Sequence, residues 1–492
     1  MDRATVTLIS VGVYLAICIG VGWWAMRRTK SSHDFFMAGR NLGVFLTAFA
    51  VFSSTMSGFG FVGGPGLVYQ MGMSSLWIVA ATMAGPAIMF ALVAKRVRLL
   101  GELRDCVSLP DVVAARYNSE TVRALMAVVV LLGVMGYLAT QILAMAIVLQ
   151  DVLRDANVFP GISIEATVAV STAVLVFYTV TGGIIASVYT DLIQGAIMVV
   201  AAVLVFVTVL GTFDGGMVEM SQVIAADDRE AMGPWGTLGM FGGLSWMLVF
   251  ALGTAGQPHV ITKYMMLKNV KDIKRVVPLG ALAYGVAALL WIGLGISMRA
   301  LVLSGGHDPL MTPDAAASAF LQSFAHPLLA GVVFAALLAA IMSTADGFLN
   351  IGTAAVIHDF PVAFGGRPVQ NELLWARVTT VGIAIVAALF ALYSGDLVAL
   401  LGAFGWGTFA AAIVPVIAIG LNWKGATATA ATYAIASSLV VNFGVRITGV
   451  SMPYGVDVGA ASLVVSLTLF LGISLLSTPD ELDADVEAVM EM

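Results

Sequence analysis

Charge is scarce in this sequence. Of its 492 residues only 11% are Asp, Glu, Lys or Arg, while 60% are apolar. A soluble globule of that composition would carry an apolar surface it cannot hide, so a soluble enzyme or binding module is excluded and lipid becomes the solvent. Cysteine is nearly absent. Cys18 lies in the first apolar run and Cys106 in a charged loop, settings at different depths, so a disulfide is not expected. There is no HExxH, no Gly-Lys-Ser/Thr phosphate loop and no Cys/His cluster with zinc spacing. His33, His259, His307, His326 and His358 are scattered, mostly at the ends of apolar runs. No enzyme chemistry, no cofactor and no nucleic-acid partner is therefore expected, with Na⁺ the one metal ion considered below.

What the sequence has in abundance is long apolar runs. A hydrocarbon core of about 30 Å takes roughly 20 helical residues to cross. Runs bounded by charged or Pro/Gly-rich breaks give thirteen spans: 5–26, 44–71, 73–94, 122–150, 163–181, 184–211, 237–258, 276–304, 326–358, 375–393, 397–420, 426–445 and 455–477. The first is followed, not preceded, by its basic cluster Arg27, Arg28 and Lys30, which marks a retained span and not a cleaved signal. Residues 1–478 read as one transmembrane domain. Residues 479–492 carry Asp480, Glu481, Asp483, Asp485, Glu487 and Glu491 with no basic residue, and are expected to be a solvated acidic tail.

Sorting Lys and Arg by loop places eighteen of the twenty-three on one side, including Lys95, Arg96, Arg98, Arg104, Lys263, Lys268 and Lys424. The positive-inside rule then puts the N-terminus outside and the tail in the cytoplasm of a bacterial inner membrane. Two spans carry helix breakers at matching places. The second reads FSSTMSGFGFVGGPG, with Gly58, Gly60, Gly63, Gly64, Pro65 and Gly66, and the seventh reads FALGTAGQPH, with Gly253, Gly256 and Pro258. Lying five spans apart, they fit two inverted five-helix repeats, spans 2–6 (about 44–211) and 7–11 (about 237–420), in an all-α polytopic protein. Broken helices expose the backbone dipoles that hold solutes and ions, although glycines also serve close helix packing.

Charges at mid-membrane cost at least ~2.5 kcal/mol each on insertion scales, so each needs a reason. Asp191, in the sixth span, and Asp346, in the ninth, fall at similar depth. A dehydrated hard cation wants oxygen ligands from carboxylates, hydroxyls and free carbonyls. Ser343 and Thr344 supply adjacent hydroxyls beside Asp346, and an unwound stretch around Ser53 to Met56 would free carbonyls. The alternative is that these hydroxyls bond back to their own helix.

Three segments, FFMAGRNLGVFLTAFAVFSSTMSG, GQPHVITKYM and AAIMSTADG, resemble the sodium:solute symporter family, most of all its sodium/proline branch. The resemblance runs over nearly the whole chain. It implies a leucine-transporter-type fold of two inverted repeats, with one Na⁺ held by the carbonyls of Ser53, Met56 and Ala340 and the hydroxyls of Ser343 and Thr344. In family members with a second ion it implies an aspartate at the position matching Asp191, and with Asp346 at similar depth these two make a possible second ion site. The branch departs where the solute is concerned. Thr55 stands where the branch has an aspartate, Gly347 where it has a cysteine, and Phe59, Phe250 and Thr254 at positions where it lines its pocket with aromatic residues, so the proline pocket is not reproduced. Thr55, Ser57, Phe59, Tyr137, Gln141, Phe250, Thr254, Gln257 and Gly347 are the candidate lining, apolar with a few hydroxyl and amide groups, as a small monocarboxylate or amino acid requires.

The expected function is import of such a solute with Na⁺ by alternating access, by a monomer or weak oligomer in the bilayer. A proton-coupled symporter using Asp191 or Asp346 is the nearest alternative, and a transporter-like sensor or a channel stands further off.

Overall fold

The computed structural model describes residues 3–27, 31–394 and 398–492. Arg28 and Lys30, used above for orientation, and the first residue of the eleventh expected span lie outside the described residues. All described elements are helical, with one isolated bridge between Leu42 and Leu267.

Twelve helical runs among the described residues are long and apolar enough to cross a membrane. One of them, Phe59–Leu103, has 45 residues. Laid straight it would measure roughly 68 Å, more than twice a hydrocarbon core. It instead turns back at Gly72–Ser75, where Gly72 has φ 68°. Its first part is therefore the second half of the second span, whose first half is the shorter helix Val44–Thr55. Counted so, the thirteen expected crossings are all there. The fifth and sixth spans form one apolar helical stretch, Ile164–Leu210, interrupted at Gly183, where φ 55° and ψ −159° suit a residue without Cβ.

Several helices outrun their expected ends. The third span continues through Lys95–Leu103, the fourth occupies Glu120–Asp155, and the ninth, Pro327–Ala354, runs on to Gly365. The extensions of the third and fourth spans are largely polar but helix-compatible, and in the ninth Pro361 falls in the first turn of its last helix, Phe360–Gly365, where proline is tolerated. The short, mostly buried helix Leu109–Tyr117, capped by the Ser108 hydroxyl accepting from Asp111 N–H, lies at the end of the bundle that carries the basic residues. That end is called the basic face below.

The ninth span is the axis of the fold. Nearly all its residues from Ala330 to Ala354 are buried, and it packs against the first, fourth and sixth spans. The two interrupted spans are pinned together at the basic face: Leu42 N–H donates to Met266 O (3.1 Å), Lys268 N–H donates to Leu42 O (2.9 Å), and Arg98 donates to Leu267 O.

The acidic tail differs from expectation. Ala484–Glu491 is a helix packed on Lys95–Leu103, with Val486, Val489 and Met490 buried. Arg104 pairs with Asp483 and Asp485, and Lys424 with Glu487 and Glu491. The tail sequence looked solvated because its charges dominate. Its three buried apolar residues, spaced for one helix face, give it a side to dock.

Candidate functional site

The two breaks differ in construction. Val44–Thr55 stops at Met56, whose φ −88° and ψ 87° leave the helix, and Ser57 follows before the chain resumes through the wide turn Phe59–Gly63. The unwound residues are thus Met56 and Ser57, while Ser53 and Ser54 remain in the last helical turn. Their carbonyls are free because a helix end leaves its last four C=O groups without backbone partners. In the seventh span Gly239–Gly253 tightens into Thr254–Gly256, and Gln257 is extended (φ −82°, ψ 108°) before Pro258 opens the second half, Pro258–Met265. Proline excludes helical geometry from the residue before it and starts a helix well itself, which places the break between Gln257 and Pro258.

The first break meets the ninth span through oxygen atoms. Ser343 Oγ lies 3.1 Å from Ser53 O and 3.0 Å from Ala340 O. Thr344 Oγ1 lies 3.2 Å from Ser54 O, 3.1 Å from Ala340 O and 3.5 Å from Ser53 O. Both hydroxyls bond back within their helix, as the bland reading had it, and also bridge to the broken helix. Three carbonyls and two hydroxyls, all fully buried, form the oxygen-only set a hard cation prefers. Of the five residues expected there, Ser53, Ala340, Ser343 and Thr344 meet directly; Met56 is the non-helical residue beside them. Ser54, not expected, brings a carbonyl of its own.

The candidate solute residues separate into three groups. Ser57, Phe59, Tyr137, Gln141, Phe250 and Gln257 gather between the breaks. Ser57 and Tyr137 hydroxyls are 3.2 Å apart, and Gly58 N–H donates to Gln141 Oε1 at 2.9 Å. Phe59 stacks on Phe250 and Phe250 on Trp406, with ring centres 5.8 and 5.5 Å apart. Gly58 must lack a side chain: a Cβ there would come within 2.8 Å of Ala144 and 3.0 Å of Gln141. Thr55 and Thr254 instead line a separate cavity with Thr82, Pro86 and Tyr284. Gly347 opens onto a third, lined also by His259, Lys263, Ser108 and Asn350 and leading toward the basic face. The expectation of one pocket for all nine fails because the chain leaves helical geometry at Met56, so that Thr55, the last helical residue, and Ser57, in the break, face different cavities.

Several polar atoms in this region are buried without a hydrogen-bond partner: Gln141 Nε2, Gln257 Oε1 and both ring nitrogens of His259. His259 is fully buried, with its ring 4.3 Å from Phe348 and 6.1 Å from Tyr137. It had been counted among the histidines at span ends. The signal was its place in GQPH, immediately after the break. Trp406, in the AFGWG stretch, is a second residue that the sequence analysis did not single out.

Asp191 and Asp346 are both fully buried. Asp191 Oδ1 accepts from Ser53 Oγ at 2.9 Å, and Asp346 Oδ1 accepts from Ser187 Oγ at 2.8 Å. Lys263, assigned to a loop on sequence, is also buried, with Nζ 3.0 Å from Asp191 Oδ2 and 3.1 Å from Ser187 Oγ. A vacant second ion site at Asp191 is therefore not what the structure presents: a side-chain ammonium sits there. The helix Pro258–Met265 continues inward from the break, so its lysine points into the bundle.

At the basic face Asp111, His358 and Asp359 converge with ligand atoms within 4.8 Å of one another. They are engaged by protein partners: His358 bridges Asp111 and Glu372, Arg123 pairs with Asp111, and Ser108 donates to Asp359. Burial raises the Asp111 carboxyl, but His358, Arg123 and Val107 N–H outweigh it and hold the group below the usual carboxylate range.

Two inverted repeats with paired helix breaks, an oxygen cluster and enclosed polar groups define a secondary transporter, not an enzyme. The sodium:solute symporter family model matches residues 35–437, and the chain belongs to that family, whose coupling ion is Na⁺. Among curated proteins it is similar to the osmoregulated proline transporter OpuE of Bacillus subtilis, 28% identical over 426 residues (85% of this chain, 84% of the relative). It is equally similar to a Staphylococcus aureus sodium/proline symporter, 28% identical over 455 residues (90% and 86%). Among solved structures, an outward-open Na⁺-coupled sialic acid symporter superposes with a TM-score of 0.78 at 19% identity, covering 98% of this chain and 100% of the other. A nucleobase-cation-symport-1 transporter in a closed conformation superposes with a TM-score of 0.58 at 15% identity (93% and 98%). These two establish the fold, which is the leucine-transporter type expected from the sequence.

Proposed function

We propose that the chain imports a small carboxylate-bearing solute, an amino acid or a small monocarboxylate, together with Na⁺. The observation that carries this is the set of enclosed polar atoms without partners: Gln141 Nε2, Gln257 Oε1 and the His259 ring. A buried polar group left unsatisfied costs about 1–3 kcal/mol, and a solute that bonds to it removes that cost. The Gln141 amide and the Ser57 and Tyr137 hydroxyls can donate, which favours a carboxylate. Phe59, Phe250 and Trp406 provide an apolar wall for the rest of a small molecule. Proline, the solute in the names of both bacterial relatives, belongs to this class.

Na⁺ binds first, at Ser53, Met56, Ala340, Ser343 and Thr344, and joins the broken second span to the ninth. This orders Ser57 and Gly58 against Tyr137 and Gln141. Closure on the far side and opening along the route lined by His259 and Gly347 then release both species at the basic face, which is the cytoplasmic side of a bacterial inner membrane. The N-terminus is outside, and the unit is a monomer or a weak oligomer. One Na⁺ crossing 100 mV contributes ~2.3 kcal/mol and a tenfold gradient ~1.4 more, enough for roughly 500-fold accumulation.

The test is uptake of radiolabelled L-proline, acetate, pyruvate and alanine into proteoliposomes at fixed pH, with external sodium or choline. Sodium-dependent accumulation of one compound is expected. Accumulation undiminished in choline overturns the sodium coupling, and failure of every carboxylate beside uptake of a neutral solute overturns the substrate class.

A further inference from the structure

The group buried beside the sodium ligands is a lysine. Lys263 Nζ lies 3.0 Å from Asp191 Oδ2 and 3.1 Å from Ser187 Oγ, and Ser187 in turn donates to Asp346. Lys263 and these three neighbours are all at most 1% exposed. Two carboxylates with hydroxyls between them form the kind of cage that holds a hard cation. An ammonium is also a compact cation, and it satisfies the same oxygens with three N–H donors.

Ser53 connects this cage to the proposed sodium site. Its carbonyl faces the Ser343 and Thr344 hydroxyls, and its own hydroxyl donates to Asp191. Lys263 sets its amine directly against the Asp191 carboxyl and, through the Ser187 hydroxyl, next to Asp346, at the same carboxyl that Ser53 links to the proposed sodium site. Acidic side chains that lose a cationic partner in a membrane interior are strongly disfavoured unless another cation replaces it.

We propose that Lys263 is a tethered cation: its ammonium occupies the position a second Na⁺ would take beside Asp191, and it thereby fixes coupling at one Na⁺ per solute. The inference rests on the proposed sodium site at Ser53, Ser343 and Thr344. It gives Lys263 a stoichiometric role, distinct from binding either transported species. It also predicts a latent site, since removing the side chain leaves a cage with charge and oxygens suited to Na⁺.

The experiment is equilibrium binding of ²²Na⁺ to the purified full-length protein, which needs no identified solute. The unmodified protein should bind about one Na⁺ per chain, non-cooperatively. Lys263→Ala should bind about two, and Lys263→Arg, which keeps a cation there, about one. The neutral pair Lys263→Met with Asp191→Asn should again bind about one, with affinity within about threefold of the unmodified protein, and this variant serves if Lys263→Ala does not fold. Two Na⁺ in the unmodified protein, one in a folded Lys263→Ala, or none in the neutral pair would each overturn the proposal. Absence of any saturable binding to the unmodified protein would overturn the sodium site as well, a result distinct from the other three.

Discussion

Two sets of ion pairs in this molecule obey the same Coulomb law in opposite surroundings. Lys263 and Asp191 meet at 3.0 Å with side chains 1% and 0% exposed. Arg104 meets Asp485 at 2.6 Å with side chains 35% and 39% exposed. The shorter contact is the weaker determinant. At the surface, water and salt screen the charges and either partner can be solvated alone. In the interior neither charge has an alternative, so removal of one strands the other. Distance thus says little about consequence until burial is known.

The largest effect should come from breaking the interior pair on one side. Asp191→Asn leaves the Lys263 ammonium facing a neutral amide and should cost about 3–5 kcal/mol, the range for a stranded buried charge. It would be read as a lowered unfolding midpoint of the purified protein in detergent. Adding Lys263→Met to the same variant should recover most of the loss. If Asp191→Asn is no more damaging than a tail variant, the contrast between interior and surface fails.

Next in size is the ion site. Thr344→Ala removes a hydroxyl shared among three carbonyls and should raise the half-saturating sodium concentration tenfold or more, about 1.4 kcal/mol. Solute affinity at saturating sodium should change far less. In the solute region, Gln141→Ala strands the Gly58 N–H and should cost about 1–3 kcal/mol in solute binding. Titration of binding against solute at saturating sodium checks it, and an unchanged affinity would remove Gln141 from the pocket.

A third kind of charge tests the contrast at an intermediate point. Asp314, outside the spans, is buried and, among the described residues, has no paired cation and accepts from Val398 N–H. Burial, partly offset by that bond, raises its carboxyl to about 6 from 3.8. Because the folded-state value is raised, the folded chain binds the proton more tightly than the unfolded one. Stability should therefore fall as pH rises from about 4 to about 6 and level off above. Asp314→Asn should abolish that slope in thermal unfolding, and a slope surviving in the variant would assign it elsewhere.

The sequence disclosed what depends on composition and local breaks. Apolar runs, matched glycine clusters and loop charges were enough for the helices and the inverted repeat, because lipid leaves a chain few options. The oxygen cluster was also legible, since MSTAD and the FSSTMSG break each show their polar atoms within a few residues. Lys263 was not. A lysine five residues past Pro258 looks like the start of a basic loop, and only the continued helix and a partner 72 residues away show it to be interior. His259 and Trp406 stayed hidden for the same reason, their roles being set by neighbours on other spans. Thr55 failed oppositely: two residues from Ser57 in sequence, it faces another cavity because the helix ends between them, at Met56.

The smallest effect belongs to the tail, where the surface side of the contrast is most easily falsified. Arg104→Ala removes the pairs to Asp483 and Asp485. It should lower the unfolding midpoint less than any variant above, and the difference should shrink as potassium chloride is raised toward about 1 M, where the Debye length is about 3 Å. Val486→Asp attacks the docked apolar face instead, and its effect should persist at high salt because hydrophobic contact is not screened. Limited proteolysis distinguishes the two, since only the second should expose the tail at every salt concentration. An Arg104→Ala effect that ignores salt would mean that the tail's charges are held as tightly as Lys263, and that exposure does not separate the two kinds of pair.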